Sequence, residues 1–324
     1  MNALRISVVI PTYNRAGFLA KAVASVRAQS HPCDEIVIVD DGSTDDTASA
    51  VDALGAGIRY IRQSNAGPSA ARNRGMREAR GDLVAFLDTD DRWLPTKIER
   101  QLALLAARPD VAIVVSDEAM ELGDGQLLHA SNFAHHGIDQ LLPVTADGVV
   151  PDAPRRLLST NFISTSTVLA RRDLLVSHGG FDTRLRYGED LELWLRVAAA
   201  HPIASVRSVE AIRVTHGGNT TAAIEPMLLG YVELAAVIRG WARELMPQWG
   251  LDPDRMVADS WCDLGYWYFS NGRLPEARQA LRRSLRESVT SRALKYTLAS
   301  LLPAAAISKL RAARESGRQT THTP

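Results

Sequence analysis

The stretch "FLDTDD" (86–91) places Asp88, Asp90 and Asp91 within four positions, just after the apolar run Leu83, Val84, Ala85. Carboxylates this close repel one another, and burying them unpaired is costly. Acids also favour the start of a helix, but three in four positions exceed what a helix start asks for. The cluster suits a hard divalent cation with oxygen ligands, one that bridges protein to a phosphate. Three other polar segments also follow apolar runs: Pro11-Thr12-Tyr13-Asn14, Asp40-Asp41-Gly42-Ser43 and Asn65-Ala66-Gly67. The familiar phosphate loops are absent: no G-x-x-x-x-G-K-[ST] occurs, and no G-x-G-x-x-G follows the first apolar run. A D-x-D after a strand also occurs in haloacid-dehalogenase-type phosphatases. Those want Thr or Val two positions after the second Asp, where this chain has Arg92.

The elements that must carry these loops alternate. "ISVVI" (6–10), "EIVIV" (35–39), "IRYI" (58–61), "LVAFL" (83–87) and "VAIVV" (111–115) read as buried strands. Between them Phe18, Leu19, Ala22, Val23 and Val26 recur at helical spacing, "STDDTASAVDAL" opens with a hydroxyl and acids, and Pro68 and Gly81 bracket a third helix. A fourth helix is expected over 95–106. Such βαβ alternation predicts a mostly parallel sheet flanked by helices. In that architecture ligands bind beyond the carboxyl ends of the strands, where all four polar segments would lie along one edge. From Ser116 to Pro154 the pattern weakens to loops and short antiparallel pieces, the composition of a lid or acceptor-side insertion. A strand over 163–170, a helix over 189–200 and a strand over 210–216 follow, and beyond about Thr221 the chain reads as helical.

Taken together, "SVVIPTYNR", "VIVDDGSTDDT", "SNAGPSAARNRGMREARGDLVAFLDTDD", "GGFD" and "GEDLELWLR" resemble the successive motifs of family-2 glycosyltransferases of the GT-A fold, over about residues 5 to 217. The resemblance implies roles. Pro11, Tyr13 and Asp40 would line a nucleotide-base pocket, with Asp41 in the same loop. Asn65, Gly67 and Arg72 would lie beside the nucleotide and its diphosphate. Asp88 and Asp90 would be the D-x-D that holds the ribose and a Mn²⁺ or Mg²⁺, with His216 a further metal contact. Gly179 and Gly180 would form an acceptor-side loop, and Glu189-Asp190 the pair whose Asp is the general base. Departure of a nucleoside diphosphate leaves charge that a metal can stabilise, and the incoming hydroxyl needs a carboxylate to take its proton. One base, one metal and no enzyme nucleophile imply inversion. The expected partners are a nucleotide sugar, with UDP favoured, and a glycan or lipid-linked acceptor in cell-surface polysaccharide synthesis. Two rival readings are a sugar-nucleotide pyrophosphorylase, which would want a Gly-rich basic loop in place of "PTYNRAGF", and a degenerate domain serving as a binding platform.

The formal charge of the 324 residues is zero, which gives no field for nucleic acid. The balance is uneven, however: residues 273–318 hold eleven Lys or Arg against Glu276, Glu287 and Glu315. Cys33 and Cys262 match no zinc or redox spacing, so a reduced cytoplasmic setting is expected. Neither a signal peptide nor an apolar run of roughly 18–20 residues is read. The expected organisation is a GT-A catalytic domain over 1–220 and an α-helical extension over 221–324. In the extension Trp261, Leu264, Gly265, Tyr268 and Ala277 are placed as in one tetratricopeptide-like hairpin, too few repeats to stand alone. The closing "SLLPAAAISKLRAARESGR" combines apolar and basic residues, as a helix at an anionic membrane would.

Overall fold

The computed structural model describes residues 4–141, 145–217 and 223–302. Strands β1 (Ile6–Thr12), β2 (Glu35–Asp40), β3 (Ile58–Arg62) and β4 (Leu83–Phe86) run parallel, β1 between β2 and β4, with β3 outside β2. Their connections are α1 (Ala16–Arg27), α2 (Thr47–Ala53) and α3 (Pro68–Glu78). Both faces are covered, which explains why these strands read as unbroken apolar runs. Ile6, Val8 and Ile10 join Leu19, Ala22, Val23 and Val26 of α1 in one cluster, whereas Val37 and Val39 pack with Ala71 of α3 in another. Helix α3 comes very close to the sheet: a Cβ on Gly75 would stand 2.3 Å from Val9 Cγ1.

The second half is mixed. It comprises β5 (Arg92–Trp93), α4 (Lys97–Ala107), β6 (Ile113–Leu122), β7 (Leu127–His129), α5 (Asn132–His135), α6 (Ile138–Leu141) and α7 (Ala153–Ser159), then β8 (Leu169–Arg171), α8 (Arg172–Ser177), α9 (Glu189–Ala198) and β9 (Ile203–Thr215). The sheet order among the described residues is β3-β2-β1-β4-β8-β6-β9-β5, with β7 on β6. Strand β8 is antiparallel to both β4 and β6 and pairs Ala170 with Val84 on one side and Ile113 on the other. Strands β4 and β6 therefore run the same way at the same level. Because β9 is parallel to β6, its C-terminal end reaches the same sheet edge as those of β1 to β4.

Three expectations need correction, the first being the last strand, which begins at Ile203 rather than at residue 210. Strand β6 does not stop at residue 115 but continues to Leu122, because β9 is long enough to pair with it throughout, with bulges around Ser116, Asp117 and Glu118. The polar residues are tolerated there because Asp117 accepts bonds from Ser131 Oγ and Phe133 N–H. Residues 163–170 are mostly not strand: Thr165–Thr167 form a 3₁₀ turn before the short β8. The hydroxyls compete with ladder bonding, and Thr167 Oγ1 donates to the Ser164 carbonyl at 2.7 Å.

The chain divides into two compact units after Ala222. The second contains α10 (Ile224–Ala242), α11 (Pro253–Ser270), α12 (Leu274–Glu287) and α13 (Ser291–Ser300). Leu264, Tyr268, Ala277 and Val232 form its core, and a Cβ on Gly265 would lie 2.8 Å from Leu281 Cγ, so α11 and α12 touch closely. The apolar and basic stretch beyond Leu302 lies outside the described residues.

Candidate active site

The carboxyl edge of the sheet brings the polar segments together as its topology requires. After β1, Tyr13 is 47% exposed, and Asn14, with φ 51°, donates its N–H to Ser43 Oγ at 2.9 Å. After β2, Asp40 lies almost fully buried and accepts from Ser43 N–H (2.8 Å) and Tyr60 Oη (2.6 Å). Burial opposes its charge, but the Ser43 and Tyr60 bonds prevail and hold its carboxyl below the usual range. Asp41 turns toward the loop after β3 and accepts from Ala66 N–H (2.9 Å), Gly67 N–H (2.8 Å) and Gln63 Nε2 (2.7 Å). It fixes a loop whose Gly67 has φ 89° and whose Asn65 is exposed. Tyr13 and Asn65 thus stand outward while Asp40 and Asp41 brace them from behind.

The three acids after β4 have separate surroundings. Asp91 is buried and accepts from Ser166 Oγ (2.6 Å) and Val214 N–H (3.0 Å), which ties the end of β4 to the 3₁₀ turn and to β9. Burial, then the neighbouring charges of Asp88 and Asp90, push its carboxyl well above the usual range. Asp90 instead meets His216 Nε2 at 2.9 Å, and that imidazole stacks on Phe18 with centroids 5.1 Å apart. Asp88 donates its N–H to Ser166 Oγ (3.1 Å) and receives the Arg72 guanidinium at 2.7 Å. Beside Asp90 lies a cavity of about 450 Å³, lined among others by Phe18, Lys21, Arg92, Glu121 and Gly125.

Arg72 is buried, and its other terminal nitrogen donates to Glu189 Oε1 at 3.0 Å. One cation therefore joins the D-x-D to the first turn of α9. That helix begins after Gly188 at φ 74°. Burial, then Asp190, push the Glu189 carboxyl up to about 7. Burial also raises Asp190, whose Oδ1 accepts the Leu191 N–H at 2.7 Å. Gly179 and Gly180 have φ 85° and 69°, and a Cβ on Gly180 would lie 2.4 Å from Asn73 Oδ1. Asn73 exchanges two bonds with the backbone of Phe181, and Arg196 donates to the carbonyls of His178 and Gly180. These glycines let the segment before α9 lie against α3. Trp194 is fully buried among Phe86 and Phe181.

Sequence reasoning missed Ser166, which bonds to both Asp88 and Asp91, because "STSTV" carries no sign of a long-range partner. It also missed Glu118, a buried acid on the β6 bulge. Burial raises its carboxyl, opposed by Arg213.

A metal must be supplied ligands by what is present. Among the described residues no group of three or more His, Cys, Asp or Glu is arranged to hold a metal ion. Asp90 and His216 offer two converging, partly exposed ligand atoms. Mg²⁺-type sites commonly take one or two protein ligands and complete their shell with substrate phosphates and water. The residues fit a cation that arrives with a diphosphate.

The sheet, with its carboxyl-edge acids and the acid pair across from them, defines a GT-A α/β fold of the kind that handles nucleoside-diphosphate sugars. The glycosyl transferase family 2 model matches residues 7–152. An amylovoran biosynthesis glycosyltransferase of Erwinia amylovora is 30% identical over 212 residues, 63% of this chain and 73% of that protein. The chain belongs to glycosyltransferase family 2. An uncharacterised glycosyltransferase of Rickettsia conorii is 32% identical over 223 residues, 68% of this chain but only 34% of the relative's length. The chain thus spans about a third of such relatives. Among solved structures, Staphylococcus aureus TarS 1–349 in complex with UDP-GlcNAc superposes with a TM-score of 0.66 at 21% identity, over 98% of this chain and 92% of that one. At that identity the likeness is one of fold. No described helix is long and apolar enough to cross a membrane.

Proposed function

We propose that the chain is a metal-dependent, inverting glycosyltransferase that moves a sugar from a nucleotide donor, UDP-linked by preference, to a glycan or lipid-linked acceptor. The observation that carries this reading is the Asp90–His216 pair at 2.9 Å beside Asp88, joined through Arg72 to the acids that open α9. Pro11, Tyr13 and Asn65 flank the base, and Asp40 and Asp41 keep their loops in place. Asp88 takes the ribose. Asp90 and His216 would hold a Mn²⁺ or Mg²⁺ ion, whose chemistry is to stabilise negative charge on the departing diphosphate. Asp190 accepts the proton of the acceptor hydroxyl, and the burial that raises its carboxyl makes it a better base. Glu189 stays with Arg72 and orients that turn. Gly179 and Gly180 shape the floor on the acceptor side.

Several names support the reading. The relative in Erwinia is named for amylovoran biosynthesis, and one in Bacillus subtilis for teichuronic acid biosynthesis. A mannosyltransferase of Pyrobaculum calidifontis with the same fold (TM-score 0.54) was solved with GDP-Man and Mn²⁺. We further propose that the basic C-terminal stretch gives peripheral contact with anionic membrane on the cytoplasmic side. Calorimetry with UDP and GDP, each with and without Mn²⁺, tests the central reading. UDP should bind tightly only with the ion present. Failure of both nucleotides to bind under any metal condition would overturn it.

A further inference from the structure

A second cavity, apart from the one beside Asp90, lies along α7. Ala153 and Leu157 are the buried residues of this helix, which packs against α9. Asp152, Arg155, Arg156 and Ser159 follow the spacing of one helical face, and with Ile138 and Phe162 they line a cavity of about 360 Å³. That size falls within the roughly 300–1,000 Å³ of small-molecule sites. Arg156 is held in place by a bond from Nε to the Pro151 carbonyl at 2.8 Å. Arg155 is exposed, and among the described residues no carboxylate pairs with it. Asp152 is the N-cap residue of α7 and Ser159 ends it, so the wall has an acidic start and a basic, hydroxyl-bearing remainder.

The location is informative. Phe162 precedes Ser166 by four residues, at most about 14 Å of extended chain, and Ser166 bonds to Asp88 and Asp91. The other face of α7 meets the helix whose first turn holds Glu189 and Asp190. Phe162 at the cavity is therefore within about 14 Å of Ser166, a span that a short oligosaccharide can bridge.

We propose that this cavity is an acceptor subsite for an anionic glycan unit. Arg155, Arg156 and Ser159 take its carboxylate or phosphate, Asp152 accepts from its hydroxyls, and Ile138 and Phe162 form the apolar floor. The assignment to an acceptor rests on the glycosyltransferase reading; the preference for an anion does not.

The test uses the full chain and three probes: methyl glucuronide, glucose 6-phosphate and the neutral methyl glucoside, with binding followed by ligand-observed NMR at low salt. At least one charged sugar should bind about fivefold or more tightly than the neutral one, and Arg155→Ala should remove most of that preference. Arg155→Glu should abolish it. UDP affinity in Mn²⁺ should stay unchanged in both variants, which also reports that they are folded. A preference for the glucuronide marks a uronate subsite and one for the phosphate a phosphate subsite; either supports the proposal. Equal binding of the three sugars, or a charge preference that survives Arg155→Glu, would overturn it. Charge preference without any nucleotide binding would sink the transferase reading and the word acceptor, and leave the anion site standing.

Discussion

Asp90 and Asp91 are adjacent in the chain, yet one meets an imidazole at the surface of the site and the other is buried against a strand and a turn. Their substitutions should separate. Asp90→Ala should leave the melting temperature within a degree or two and abolish the metal-dependent binding of UDP, read by calorimetry. Asp91→Ala should lower stability by about 1–3 kcal/mol, because the Val214 N–H and the Ser166 hydroxyl lose a buried acceptor; a denaturant titration gives the number. An Asp90 variant that keeps the metal requirement would remove Asp90 from the ion site. Asp190→Asn should keep UDP affinity within a few-fold while transfer falls by about 10²–10⁴. Near wild-type transfer in that variant would place the base elsewhere.

Among the elements, those built from unbroken β-branched runs were legible: β1 to β4 and their helices fall close to where periodicity places them. The carboxyl-edge loops were legible for the same reason, since a parallel sheet leaves nowhere else for Pro11, Asp40, Asn65 and Asp88 to go. What failed depended on distant partners. Strand β6 continues through Ser116, Asp117 and Glu118 only because β9 runs beside it, and residues 164–167 turn because Ser166 has bonds to make 75 positions away. The Arg72–Glu189 bond spans 117 positions, and nothing in either motif announces it. Helix α4 hides another such case. Lys97 is fully buried, with Nζ 4.2 Å from the Trp93 ring centre and a 2.9 Å bond to Gln101. Burial lowers its ammonium to about 7. The unfolded chain keeps that proton up to the ordinary lysine value of 10.5, so it binds more protons than the native state above pH 7, and stability should rise with pH there. Glu189, raised to about 7, acts in the opposite sense but only below that pH. Burial pushes the Cys33 thiol up to about 11 from 9.0, which opposes the gain above pH 9. Between pH 7 and 9 Lys97 acts with neither Glu189 nor Cys33 opposing it. Unfolding free energy from urea titrations should climb across this interval in the wild type and stay flat in Lys97→Met.

For the whole molecule, zero net charge conceals a division. The stretch 273–318 carries a formal charge of +8, and the remainder balances it. Basic residues near an anionic surface contribute roughly 1 kcal/mol each, screened by salt. Removal of residues 300–324 should therefore weaken sedimentation with phosphatidylserine vesicles while turnover of a soluble acceptor persists. Equal sedimentation of the two proteins would dismiss the membrane role.

The single guanidinium shared by Asp88 and Glu189 has a consequence for electroneutrality. With Asp90 and Asp190 nearby, that arginine does not by itself balance the acids around it; Lys21 and Arg92 beside Asp90 offset part of the excess, and the remainder should leave the mouth of the site negative. A free nucleotide, itself an anion, would approach against that field, whereas its complex with a divalent ion carries less charge and meets less repulsion. Salt should then accelerate the association of UDP in the absence of Mn²⁺ and hardly alter it in its presence. Stopped-flow traces at two ionic strengths would show it, and a salt response confined to the metal-free nucleotide would support joint arrival of ion and nucleotide.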